Sequence, residues 1–181
     1  MATQTAATID DLYRVKSKAE LVGGEIVHMS PTGFLPGRAA GAIYASLRQY
    51  ERQHKSGYAL GDNIGFIVDL PHRQSFSPDA AYHVGEPAGM KFIQGAPIFA
   101  AEVRSENDYG PRMEGQMSAK RSDYFAAGTQ VVWDVDLLSE DVIRVYRATD
   151  PGNPTIYRRG DTAEAEPALA GWRFDVDELF D

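Results

Sequence analysis

Apolar and polar positions alternate with different periods along this chain, and each change of period marks an element. Thr8-Ile9-Asp10-Asp11 sets a capping side chain three residues before an acid, which predicts a short helix over 9–18. From Glu20 to Met29 two short alternating runs surround Gly23-Gly24, the pattern of a tight hairpin. Ala40, Ile43, Tyr44, Leu47 and Tyr50 recur at helical spacing, with Arg48, Glu51 and Arg52 on the polar side. They predict a long helix over 37–55, ended by Gly57. Strand-like stretches follow at 58–60, 64–70 and 80–84, then a Gly/Pro-rich loop over 85–95. The run 97–103 reads as a buried strand with Glu102 in its middle. Met113, Met117, Lys120 and Tyr124 share one face of a second long helix over 112–127, stopped by Gly128. A strand at 130–135, a hairpin at 142–146 and 155–158, and a strand with a closing turn over 170–180 complete the pattern. No linker, repeat or low-complexity tract interrupts it. One domain over 1–181 is therefore expected, with a loose tail over 1–7. Two long helices flanking a mixed sheet make an α/β sandwich.

Composition narrows the chemistry. The chain has 181 residues and no cysteine, which excludes disulfides, thiolate catalysis and cysteine-based zinc sites. Its histidines, His28, His54, His72 and His83, show no metal-ligand spacing. No secretory leader and no membrane-spanning run is visible, so a cytoplasmic protein that does not enter a membrane is expected. The formal net charge is −8, which argues against broad electrostatic binding of phosphate backbones. Arg104, Arg112, Lys120 and Arg121 are the candidates for a local basic surface.

Glu102 is the most informative single residue. A carboxylate in an apolar strand costs several kcal/mol, as an order of magnitude, unless a cation or a metal ion accompanies it. Asp79 enters a second apolar segment behind Pro78, and consecutive strands are often neighbours. Two converging carboxylates repel unless a cation lies between them, and hard oxygen ligands suit Mg²⁺ or Mn²⁺. The carbonyl of Val103 would add a third oxygen. Lys120 points inward on the apolar stripe of its helix, where its charge would stabilise a developing anion.

These residues also carry a family resemblance. The run Glu20-Leu21-Val22-Gly23-Gly24-Glu25-Ile26-Val27-His28-Met29-Ser30-Pro31 resembles the opening of the Uma2 family (DUF820) of restriction-endonuclease-like proteins. Phe76-Ser77-Pro78-Asp79, Ala101-Glu102-Val103, the run Lys120 to Gly128 and Trp133-Asp134-Val135-Asp136 match its later landmarks in order. The resemblance implies the PD-(D/E)xK nuclease fold, with a mixed central sheet flanked by helices behind an N-terminal helix and hairpin. It also implies a divalent-metal site, a DNA substrate and a homodimer. Asp79 and Glu102 would be the metal ligands, and Lys120 the catalytic lysine, moved from its usual slot two residues after the acid. Arg104 occupies that slot here, as a departure from relatives and a candidate phosphate contact. Pro36-Gly37 departs where many members have a histidine. Glu20 is a candidate extra acid.

Each residue also has a plainer reading. Asp79 behind Pro78 suits a turn, Glu102 suits a structural pair with Arg104 or another base, and Lys120 suits a side chain that lays its stem over apolar surface. Glu20 and Glu25 suit exposed positions in a hairpin, and Asp134 and Asp136 the polar face of a strand. Two functional classes therefore stay open. One is a metal-dependent endonuclease. The other is a catalytically silent nuclease fold that binds nucleic acid or protein, or a nuclease that needs a partner.

Overall fold

In the computed structural model, which describes residues 6–181, helix α1 (Ile9–Arg14) precedes a hairpin of β1 (Ala19–Val22) and β2 (Glu25–His28). The long helix α2 (Phe34–His54) follows, then strands β3 (Tyr58–Leu60), β4 (Phe66–Leu70), β5 (Arg73–Phe76), β6 (Ala80–His83), β7 (Ile93–Gln94) and β8 (Phe99–Val103). Helix α3 (Pro111–Ala126) leads to β9 (Val131–Val135), β10 (Ile143–Arg147), β11 (Asp150–Tyr157), β12 (Thr162–Ala165) and β13 (Leu169–Asp175). A single 3₁₀ turn (Val176–Leu179) closes the chain.

Local chemistry explains most boundaries. Thr8 Oγ accepts from Asp11 N while the Asp11 carboxylate accepts from Thr8 N, which is the capping box read in the sequence. Helix α1 stops earlier than expected because Val15 is already extended, at φ −70° and ψ 135°. Gly23 and Gly24 have φ of +59° and +76°, the pair of positive values that a two-residue hairpin turn demands. Helix α2 begins ahead of its expected start because Pro36 lies in its first turn, where no N–H is needed. The loose tail expected over 1–7 lies outside the described residues except at its end, where Ala7 N donates to Gly24 O.

Six strands form a mixed central sheet in the order β11-β10-β9-β8-β6-β3. Its β8 and β9 are parallel, joined through α3, and its other pairs are antiparallel. Five strands form a second sheet, β2-β1-β5-β4-β7, and β12 and β13 make a separate ribbon. The sequence pattern missed β5 because Arg73-Gln74-Ser75-Phe76 is mostly polar, although all but Gln74 are buried.

Helix α2 packs its stripe of Ala39, Ala40, Ile43, Leu47 and Tyr50 on one face of the central sheet. Phe99, Trp133, Trp172 and Phe174 meet in that layer, mostly edge to face. The opposite face is covered chiefly by the second sheet, through Phe66 and Phe76, with Tyr124 of α3 stacked on Phe76. Only Asp123 and Tyr124 of α3 are fully buried, so that helix touches the body through its C-terminal turns. Among the described residues no helix is long and apolar enough to cross a membrane.

Candidate functional site

Between β5 and β6 the chain leaves one sheet for the other, and Ser77-Pro78-Asp79 spans the seam. Asp79 N donates to Ala101 O at 3.1 Å, which carries the β6–β8 ladder one residue beyond the strand. The Asp79 carboxylate then turns back, and its Oδ2 accepts from Val103 N at 2.8 Å. Strands β6 and β8 are neighbours as expected, and the short β7 between them in sequence belongs to the second sheet. Glu102 sits next to the end of β8 and not in its middle, and its side chain keeps 21% exposure. Strand alternation sends Ala100 and Glu102 toward α3, and Ala101 and Val103 toward α2.

Lys120 meets Glu102 from α3. Its Nζ lies 2.8 Å from Glu102 Oε1 and 2.9 Å from Glu20 Oε1. One turn later Tyr124 donates its hydroxyl to the same Glu102 Oε1 at 2.6 Å. Among the described residues nothing hydrogen-bonds Glu102 Oε2. Glu20 is 3% exposed, so the exposed hairpin position suggested for it is corrected here, whereas Glu25 is exposed. Glu20 Oε1 also accepts from Ser77 N, and its Oε2 accepts from Arg73 at 2.7 Å. Arg73 continues to Asp123 at 2.7 Å, and Asp123 to His72.

Lys18 forms a second pairing that the sequence did not disclose. Its Nζ donates to Asp79 Oδ1 at 2.7 Å and to Asp62 Oδ1 at 2.6 Å. Its partners lie 44 and 61 residues away, so no local spacing could reveal it.

Burial pushes the Glu102 carboxyl above its ordinary value; Lys120 opposes the rise, and Asp79 and Glu20 add to it. Burial acts the same way on Glu20, but Lys120 and Arg73 outweigh it and hold that carboxyl below its ordinary value. Burial works against the charge of Lys120, yet Glu102 and Glu20 prevail and keep the ammonium protonated. Tyr124 is pushed well up by burial and by the Glu102 and Glu20 charges, so it stays a hydrogen-bond donor.

Residues 7–177 match the Uma2 family, described as "Putative restriction endonuclease". The chain belongs to the Uma2 family. Its fold resembles the crystal structure of a "putative nuclease belonging to DUF820" from Anabaena variabilis ATCC 29413. The TM-score is 0.75 at 14% identity, over 96% of this chain and 97% of that one, and the likeness is one of fold. The mixed central sheet and its helices are thus a restriction-endonuclease-like architecture. No curated protein matches the chain in sequence.

Two carboxylates, Asp79 and Glu102, are the oxygen donors this site would offer a hard divalent cation. Among the described residues no three His, Cys, Asp or Glu side chains cluster as metal ligands. A cation would rest on the Asp79 and Glu102 carboxylates and a backbone carbonyl such as that of Val103, with water completing the shell, as suits Mg²⁺. The charge balance fits as well. Five carboxylates (Glu20, Asp62, Asp79, Glu102, Asp123) face two ammonium groups and one guanidinium (Lys18, Lys120, Arg73), with the His72 imidazole on Asp123.

Arg104 lies apart in this Uma2 chain. It is 6% exposed, and its guanidinium grips Asp134 with two bonds of 2.8 Å and reaches Glu114 on α3. Asp134 is buried and also paired with Arg121, so the polar strand face suggested for it is corrected. The suggested pairing of Glu102 with Arg104 gives way to Lys120 and Tyr124. Arg104, Lys120 and Arg121 all turn inward onto acids, and so do not form the local basic surface that was anticipated. Arg112 is exposed.

Proposed function

We propose that this protein is a divalent-metal-dependent endonuclease acting on the phosphodiester bonds of DNA. The observation that carries the reading is the meeting of Glu102, Lys120 and Glu20 beside Asp79, in a cluster where carboxylates outnumber ammonium and guanidinium groups. Asp79, Glu102 and the Val103 carbonyl are the ligands of this reading. A bound Mg²⁺ or Mn²⁺ would supply the Lewis acidity that polarises a phosphate and acidifies water. Val103 N fixes the Asp79 carboxylate through Oδ2, and Tyr124 and Lys120 fix Glu102 through Oε1. Lys120, held between Glu102 and Glu20, would serve as a fixed positive charge for the anion that develops at phosphorus. Glu20 orients Lys120, and Arg73 and Ser77 orient Glu20.

The test is cleavage of single-stranded, duplex and supercoiled DNA in Mg²⁺, Mn²⁺ or EDTA. Wild type is expected to cut only with metal. Asp79→Ala, Glu102→Ala and Lys120→Ala are each expected to lose about 100-fold or more in rate with unchanged circular dichroism. Undiminished cutting by all three folded variants would end the assignment. A second reading, a silent nuclease fold that binds DNA or protein, draws on the net charge of −8 and on the ion pair that already holds Asp79. Metal binding without turnover on any of these substrates would favour it.

A further inference from the structure

Lys18 and Lys120 occupy the two sides of the site in different ways. Lys120 is held between buried Glu20 and partly buried Glu102, neither of them as open to solvent as Asp62. Lys18 bridges an inner acid, Asp79, and an outer one, Asp62, whose side chain is 49% exposed. It sits in the turn ahead of β1, on four flexible methylenes, and it lies in the field of Glu102 as well as of Asp79. Asp79 has two oxygens and both are engaged. Oδ2 takes the backbone N–H of Val103, which the sheet fixes, and Oδ1 takes Lys18. An incoming cation can therefore gain Asp79 most readily at Oδ1, in competition with the ammonium.

We infer that Lys18 is a displaceable placeholder, an ammonium that holds Asp79 until a divalent cation takes its position and then withdraws onto Asp62. This rests on the reading of Asp79 as a metal ligand. Asp62 makes the exchange feasible, because the ammonium never loses its counter-charge when it moves toward solvent. Lys120 has no exposed partner of that kind and stays. Lys18 thereby prevents a collapse of like charge in the empty site and sets a threshold of metal concentration below which the site stays closed.

The test reads metal binding without turnover. Mn²⁺ is titrated into wild type, Lys18→Met, Lys16→Met and Asp79→Asn, with free Mn²⁺ followed by electron paramagnetic resonance and folding checked by melting. Lys18→Met is expected to bind about tenfold more tightly than wild type, the scale of one lost charge-assisted pair. Lys16→Met removes the same charge from an exposed position two residues away and is expected to stay within about twofold, because solvent screens it. Asp79→Asn is expected to abolish the site. In wild type, Mg²⁺ is expected to speed acylation of Lys18 several-fold, as read by mass spectrometry, and to leave Lys120 unchanged. Equal affinities of wild type and Lys18→Met at an Asp79-dependent site, or Lys18 acylation that Mg²⁺ does not raise, overturn the placeholder and leave the metal site standing. No Asp79-dependent Mn²⁺ binding in either protein overturns both.

Discussion

Glu102 and Glu20 are two glutamates within reach of one lysine, yet the fold treats their protons oppositely. The fold holds a proton on Glu102 more tightly than the unfolded chain does. Its contribution to stability is therefore greatest below the ordinary value of 4.5 and is lost as pH rises through the raised value. Glu20 runs the other way: its contribution is present above 4.5 and is lost as pH falls through its lowered value. In metal-free buffer at pH 7, Glu102→Gln is thus expected to melt above wild type, by about 2–4 °C for each ~1 kcal/mol relieved. That gain should vanish as the pH approaches 4.5. Glu20→Gln is expected to melt below wild type at pH 7, because it strips Arg73 and Lys120 of a shared acid. Melting curves across pH check both, and a lowered melting point for Glu102→Gln at pH 7 would reverse the argument. Loss of stability with gain of function is the usual mark of a site built to receive a ligand.

At the scale of elements, the decisive device is the tie between strand ends and α3. Arg104 follows β8, Asp134 belongs to β9 and Glu114 to α3, so one guanidinium fastens three elements. Arg104→Ala would leave Asp134 buried with only Arg121, at 3.3 Å, for company. A destabilisation of about 3–5 kcal/mol is expected, measured by urea unfolding, whereas Lys120→Ala should cost far less. An Arg104→Ala protein as stable as wild type would show the tie to be dispensable. Sequence pattern captured the elements whose side chains repeat: the capping box, the Gly23-Gly24 turn, strands β8 and β9, and the stripe of α2 except at Tyr44, which is exposed. It missed β5 and misjudged Asp134 for one reason. Both are polar residues made burial-competent by ion partners far away in sequence, and periodicity sees only hydrophobicity. Asp79, Glu102 and Lys120 were singled out through landmarks in order, and the structure brings Glu102 and Lys120 into contact. Lys18 and Asp62 were not, because their meaning lies wholly in a tertiary contact.

For the molecule as a whole, the proposed metal site predicts a link between folding and metal loading. A cation that binds only the folded protein raises its stability by about 2.7 kcal/mol at a hundredfold excess over Kd. At about 2–4 °C per kcal/mol this predicts a rise in melting temperature of roughly 5–10 °C on adding saturating Mg²⁺, absent in Asp79→Asn. Scanning calorimetry with and without EDTA measures it, and an equal rise in Asp79→Asn would locate the ion elsewhere. The net charge of −8 bears on the same scale. Broad attraction to a phosphate backbone is weak at that charge, so the proposed contact with DNA would rely on the site and on shape.

The seam between the sheets also sets an order of events during synthesis. Lys18 and Glu20 emerge from the ribosome early, and Lys120 and Tyr124 only after β8 has formed and α3 has followed. Until then Glu20 has no Lys120 to orient, and Glu102 lacks both groups that hold its Oε1. A nascent chain therefore carries Lys18 and Glu20 well before Lys120 and Tyr124, and the cluster is incomplete until α3 has been synthesised.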